Sequence, residues 1–331
     1  MSMLVVCYLF FTGMGASALF AACVWETLTP YRLRNTELAS SGTIEGVSEI
    51  AITSRTFGLR LPVSWFMPNE AYRGFFAPIY GAGQAAVLLG MLFLFADLGR
   101  PDRVLSIFTH PTLSFITIGA YLLVGVLVCS LASICTWVLS VPIPRVIAAA
   151  ARILCLFLAL AAMAYAGMFL ASLDAVRFWH SIWLPLVFIV SAMSTGLALS
   201  MGSVMLLGTP DRFATTLMSA RKIDAVLILL EMMLLAFLVI GAFNGTSESR
   251  YAVQDLLFGE HAATFWVFVV MCGLVFPFFA ELFANNDDGR LKALFLIAVL
   301  IGGFFLRWCI VEVGSTPDLS WATAMMFNGP A

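Results

Sequence analysis

Long apolar segments separated by short polar ones dominate the pattern of this chain. Because a helix needs about 20 apolar residues to cross the hydrocarbon of a bilayer, segments of this length predict membrane-spanning helices. Eight spans are predicted, at residues 3–25, 75–96, 113–139, 146–171, 181–207, 224–243, 264–284 and 291–313. No positively charged stretch precedes the first span, so we expect a retained helix rather than a cleaved signal peptide.

Composition strengthens the membrane assignment. The 331 residues are 62% hydrophobic and only 11% charged, whereas soluble domains are about 25% charged. The predicted fold class is therefore an all-α integral membrane protein, in which each spanning helix satisfies its own backbone hydrogen bonds. Similar small-residue stretches in the first and fifth spans, TGMGASAL and SAMSTGLALS, predict two four-helix bundles within a single domain over residues 1–331. A net charge of −2 does not indicate a nucleic-acid partner.

The distribution of Lys and Arg predicts the orientation. Loops after odd-numbered spans hold 12 of the 17 basic residues and loops after even-numbered spans hold 4, while Arg307 lies inside the eighth span. The positive-inside rule then puts both termini outside the cell membrane and the long 27–74 connection in the cytoplasm. Arg145 and Arg152 flank the start of the fourth span, where we expect their side chains to snorkel to the interface.

Cysteine and histidine positions argue against a resident redox centre. All seven cysteines lie in apolar segments without a C-x-x-C pair, so we expect small buried hydrophobic residues. His110, His180 and His261 all lie in connecting segments, whereas membrane haems take histidine ligands from helices. The sequence predicts no haem, no iron–sulfur cluster and no metal site in this chain.

Four polar side chains are predicted near the outer surface. Tyr8, Tyr165 and Arg307 each lie about 10 Å deep at the helical rise per residue, and Asp97 marks the outer end of the second span. Quinone carbonyls require hydrogen-bond donors and quinone reduction requires proton carriers, and this set supplies both. In the alternative, the tyrosines only pack between helices and Arg307 pairs with Glu312 or Asp97.

Two acidic residues are predicted in the inner half of the membrane. Glu231 lies in the sixth span and Glu281 near the inner end of the seventh. An acidic residue within a span is a candidate proton carrier, so both belong to a candidate proton path. Glu281 has the alternative of snorkelling to the interface.

Several sequence fragments resemble a known family. DLGRPDRVLSIFTHPTLSF is similar to the loop motif of the NrfD/PsrC-type, polysulfide-reductase-like quinone-reactive membrane subunits. YLFFTGMGASALF, YAGMFLAS, FWVFVVMCGLVFPFF and IGGFFLRWCIVEVG resemble the first, fourth, seventh and eighth helices of that family, in order. Tyr165 matches a fourth-helix tyrosine associated with quinone binding, and Asp97 matches the position that heads the loop motif. Tyr8 falls where some members have histidine.

The resemblance implies a haem-free, eight-helix subunit that exchanges electrons with menaquinone or ubiquinone. It also implies an iron–sulfur subunit docked on the outer face, connected to a catalytic subunit of the molybdopterin type. Arg100, Arg103 and His110 would then belong to the docking surface. Such a subunit is not expected to be active alone.

Two hypotheses from other classes remain. A secondary transporter would use Arg307 and Glu231 for an anionic substrate or for proton coupling, although the chain has no matched pair of broken helices. A structural anchor would have no chemistry of its own. A quinone-reactive anchor should co-purify with an iron–sulfur subunit, whereas a transporter should purify alone.

Overall fold

Among the residues that the computed structural model describes, eight helices are long and apolar enough to cross a membrane, which confirms the predicted all-α membrane fold. The structure describes residues 2–29, 65–66, 68–98, 115–173, 176–283 and 289–315. The first five long helices are α1 Met3–Leu28, α2 Glu70–Leu98, α3 Phe115–Trp137, α4 Arg145–Ala171 and α5 Trp183–Leu207. They are followed by α6 Ala214–Phe243, the short α7 Ser247–Phe258, α8 over residues 262–283 and α9 Gly289–Ser315.

Helix α8 is not a uniform α-helix. It begins at Ala262–Thr264, continues as a π-helix over Phe265–Val275 and ends as an α-helix over Phe276–Phe283. In the π-helical part Gly273 lies directly against Gly302 of α9, so neither position has room for a side chain. The two backbones therefore approach closely, as small residues permit in membranes.

Several helices extend beyond the predicted spans. Helix α6 begins at Ala214 instead of residue 224, because hydropathy detects only the part of a helix that lies in hydrocarbon. Helix α7 was not predicted, since its polar face interrupts the apolar pattern. Thr246 caps its N-terminus by accepting a hydrogen bond from the Ser249 N–H, and Ala252 and Leu256 are buried.

Helices α1 and α5 lie at the centre of the molecule. About two thirds or more of their apolar windows are buried (67% and 72%), against 28–39% for α2, α3, α4, α6 and α8. The small-residue stretches of α1 and α5 pack on each other, and a Cβ at Gly196 would overlap Ser17 and approach the Ala18 nitrogen to 2.7 Å. Because the side chains are small here, the backbones of the two central helices approach closely.

A two-residue antiparallel pairing joins Trp65–Phe66 to Ile143–Pro144, at the end of the molecule where α3 finishes and α4 begins. Phe66 is buried there against Trp137. Helix α1 contacts α2, α4, α5 and α9, and thus links the first four spans to the last four. The grouping into two four-helix bundles, the single domain and the outward-facing termini stay predictions.

Candidate functional site

The two tyrosines of the predicted quinone site lie against each other. Tyr8 of α1 and Tyr165 of α4 face each other, with their hydroxyl groups next to one another. Both side chains are buried. The ring of Tyr165 covers Gly119 of α3, where a Cβ would overlap the ring carbon that carries the hydroxyl. Three helices thus position the phenols, and the missing side chain at residue 119 creates the space for them.

Asp97 lies at the C-terminal end of α2, beside the start of α1. Its carboxylate accepts a hydrogen bond from the hydroxyl of Ser2, the residue that precedes α1. Ser2 and Tyr8 are six residues apart, which corresponds to about 9 Å along the helix. The acid therefore lies at the end of the helices, one to two turns from the phenols, and it is partly exposed.

Arg307 occupies a different place. One guanidinium nitrogen donates to the Ser191 hydroxyl at 3.2 Å and to the Gly303 carbonyl at 2.8 Å. The guanidinium carbon lies 5.6 Å from the Phe10 ring centre and 5.5 Å from that of Phe188, distances at which an aromatic ring attracts a cation. The arginine is fully enclosed between α1, α5 and α9.

The charge that faces Arg307 is Glu231 of α6. Ser191 stands between them, because its hydroxyl is within hydrogen-bonding reach of the Glu231 carboxylate and also accepts from Arg307. Arg307 therefore faces Glu231 and not Asp97. Glu231 is 17 residues into the 30-residue α6, so it lies at the level of Arg307, deeper than the inner-half position predicted from the sequence.

A second buried acid extends this chain of polar groups. Asp224 lies two turns before Glu231 on α6 and is fully enclosed. Neither of its carboxylate oxygens accepts a hydrogen bond of ordinary geometry from the described residues, although the Ser194 hydroxyl faces it. A cavity of about 10 Å³, bordered by Ser191 and Ser194, lies beside Glu231. This is room for about one water molecule.

The structure thus divides the predicted set into two sites. The first site contains Tyr8 and Tyr165, with Asp97 near the end of the same helices. The second site contains Arg307 and Glu231. The predicted docking residues and one predicted acid lie outside the described side chains: Arg100, Arg103, His110 and Glu281.

A buried ion pair in the first four spans was missed. Arg152 of α4 donates to Glu26 of α1 at 2.6 Å, and the second oxygen of that carboxylate accepts from the Tyr80 hydroxyl at 2.6 Å. Glu26 and Arg152 are 2% and 7% exposed, so the expectation that Arg152 snorkels is wrong. The carboxylate holds the arginine inside the protein, which costs less than leaving a charge unpaired in the membrane. The signal that could have found the pair was one charge of each sign at the same ends of the first and fourth spans.

Asp224 was also missed. The predicted sixth span begins at this residue, and the apolar pattern does not show that the helix starts ten residues earlier. The longer α6 places it inside the helix, facing α5.

Comparison with known proteins gives a consistent result. Residues 50–317 match the profile of a family described as polysulphide reductase, NrfD. A protein NrfD homolog of Haemophilus influenzae is 27% identical over 155 residues, which is 46% of this chain and 48% of that protein. Protein NrfD of Escherichia coli is 26% identical over 163 residues, which is 49% of this chain and 51% of that protein. The aligned region thus spans about half the length of these two relatives.

A third relative has a name that specifies a reaction. It is a selenate reductase subunit of Mesobacillus selenatarsenatis, and it is 24% identical over 143 residues. The aligned region covers 41% of this chain and 32% of that protein, which is less than half of either.

Proposed function

The chain belongs to the polysulphide reductase NrfD family, and on that premise we propose that it is the quinone-reactive membrane subunit of a respiratory oxidoreductase complex. It exchanges electrons between a menaquinone or ubiquinone pool and an iron–sulfur partner on the outer face of the cell's inner membrane. A catalytic subunit of the molybdopterin type lies beyond that partner. The family membership favours this function over the transporter hypothesis.

The observation that carries the proposal is the buried pair of phenols. When two adjacent hydroxyls form one hydrogen bond with each other, that bond uses one of their two protons and leaves the other proton free to be donated. That proton is available to a carbonyl oxygen of a quinone. A dry, helix-lined position strengthens such a bond, because water does not compete for the donor.

Tyr165 is the donor that we assign to the quinone, since its ring position is fixed by the gap at Gly119. Tyr8 lies beside the Tyr165 hydroxyl and is placed to orient it. Asp97 exchanges protons with water at the surface, and its contact with Ser2 places it beside the start of α1, the helix that carries Tyr8. The residues that would receive and pass on protons are therefore ordered from the membrane surface inward.

The second polar site, around Arg307, Glu231 and Asp224, supplies a candidate proton path between α5, α6 and α9. Asp224, Glu231 and Arg307 follow one another through α5, α6 and α9, with serine hydroxyls between them. A carboxylic acid, a hydroxyl and a single water are groups that pass protons along hydrogen bonds. Glu281, predicted near the inner end of α8, is the further candidate on this path.

The phenol pair can be tested directly. We expect Tyr165→Phe to weaken the affinity for quinone by about tenfold, because it removes one hydrogen bond to a neutral ligand. Gly119→Ala should have a similar effect without changing a hydrogen-bonding group, since the new methyl displaces the Tyr165 ring. The measurement is the Michaelis constant for a soluble quinol in the assembled complex.

Matched controls exist for both variants. Tyr251→Phe removes a phenol that is 59% exposed on α7, and Gly125→Ala adds a methyl that meets only the flexible end of Leu158. Both controls should leave the Michaelis constant unchanged. An unaltered constant in Tyr165→Phe and Gly119→Ala would place the quinone elsewhere, and the region of Glu231 would be the next candidate.

Docking of the iron–sulfur partner is tested on the loop between α2 and α3. Charge reversal at Arg100 and Arg103 should reduce recovery of the partner during purification, because charges at the rim of an interface steer association. Reversal of Arg212 and Lys222, at the opposite end of the molecule, is the matched control. Normal assembly of the Arg100/Arg103 variant would show that this loop is not the docking surface.

A further inference from the structure

A large cavity opens at the end of the molecule where α5 finishes and α6 and α9 begin. Its volume is about 580 Å³, which is within the range of small-molecule sites. Its walls come from three helices and from the 3₁₀ turn Pro210–Phe213 that precedes α6. The predicted orientation puts this end on the cytoplasmic side. The cavity is far from the phenol pair and takes no part in the proposed quinone reaction.

The cavity has an apolar part and a charged part. Met201, Met205, Phe295 and Leu296 line its apolar part. Met201 lies six residues before the end of α5 at Leu207, and Phe295 lies six residues after the start of α9 at Gly289. Each is therefore about 9 Å inside its helix end. This part of the cavity reaches into the level of the lipid chains.

Charged side chains line the other part. Arg221 comes from α6, Lys292 from the first turn of α9, and Asp211 from the 3₁₀ turn. Arg221 is half-buried, and neither it nor Asp211 forms an ion pair with any of the residues that the structure describes. Two cations and one anion from separate elements thus converge on one volume at the membrane interface.

We propose that this cavity binds one anionic phospholipid whose headgroup carries hydroxyls, of the phosphatidylglycerol class. The phosphodiester lies between Arg221 and Lys292, since a phosphate is the group that paired cations at the cytoplasmic interface recognise. Asp211 accepts a hydrogen bond from a headgroup hydroxyl, which a phosphate alone or a choline group does not offer. An acyl chain lies over Met205 and Phe295.

The charge pattern distinguishes this ligand from a quinone. A quinone ring is neutral, and its carbonyls are satisfied by neutral donors such as the phenols in the first site. Two cations at one cavity favour an anion, and a polar mouth above an apolar floor matches the shape of a lipid. The bound lipid would connect α5, α6 and α9 at this end of the molecule.

The test uses the full chain, purified in detergent and titrated with phosphatidylglycerol or phosphatidylcholine while bound lipid is counted by native mass spectrometry. We expect tighter binding of phosphatidylglycerol. Arg221→Gln and Lys292→Gln should each weaken it by about fivefold, and together by about thirtyfold. Asp211→Asn should reduce the preference for phosphatidylglycerol over phosphatidic acid.

Lys222→Gln is the matched control, because Lys222 follows Arg221 in the chain but is exposed and does not line the cavity. It should bind phosphatidylglycerol like the wild type, as should the charge-retaining Arg221→Lys. Equal weakening in Lys222→Gln would indicate general surface attraction and overturn the proposal. Unchanged binding in the double variant would also overturn it, as would displacement of the lipid from the wild type by a short-chain quinone.

Discussion

Asp97→Asn is expected to lower quinol-coupled turnover by about 10²–10⁴-fold in the assembled complex, which is the usual contribution of a positioned proton carrier. Asparagine keeps the shape of the side chain and its contact with the Ser2 hydroxyl, but it cannot take up and release a proton. The Michaelis constant for quinol should change much less than turnover, because Ser2, the partner of Asp97, lies about 9 Å from Tyr8 along α1. Steady-state rates with a soluble quinol measure both quantities.

Three comparisons make this prediction specific. Asp97→Glu retains an ionisable group and should keep most of the activity. Ser2→Ala removes the partner of the carboxylate without removing the proton carrier, so its effect should be small. The rate with an artificial dye donor to the soluble partner subunits should stay at the wild-type value. Wild-type quinol turnover in Asp97→Asn would remove the acid from the proposed mechanism.

The second large effect is expected for the stability of the first four spans. Glu26→Gln leaves the buried Arg152 with a hydrogen-bond partner but without a counter-charge. Removing one member of a buried ion pair costs about 3–5 kcal/mol. The free energy of unfolding, measured by titrating the micelle-bound chain with SDS, should fall by that amount.

The cause of this loss can be separated from simple loss of a contact. Glu26→Gln combined with Arg152→Met removes both charges and should recover most of the stability, since the buried cation is gone. Glu70→Gln breaks the exposed Glu70–Arg73 pair on α2, which has an N–O distance of 3.7 Å, and should change stability little. If Glu26→Gln is as stable as the wild type, the pair does not hold α1 to α4.

The candidate site was only partly predictable. Tyr8 and Tyr165 were identified from their depth, because a helix converts residue number into depth at a constant rise. Depth alone also grouped Arg307 with them, which the structure does not support. Depth does not determine the direction in which a side chain points around its helix, and Arg307 points to Ser191 and Glu231.

Sequence by itself determined the number of spans, the absence of paired metal-ligand motifs in the chain and the family. These follow from local properties: apolar length, residue type and the order of short fragments, each of which can be read without knowing what packs against it. Only the tertiary structure decided that Glu26 meets Arg152, that Tyr8 meets Tyr165 over Gly119, and that Asp224 lies inside a helix. Each of these depends on the rotation and contact of helices distant in sequence. In a bilayer close packing and polar contacts set that arrangement, because lipid is as apolar as the helix surfaces and gives them no preferred face.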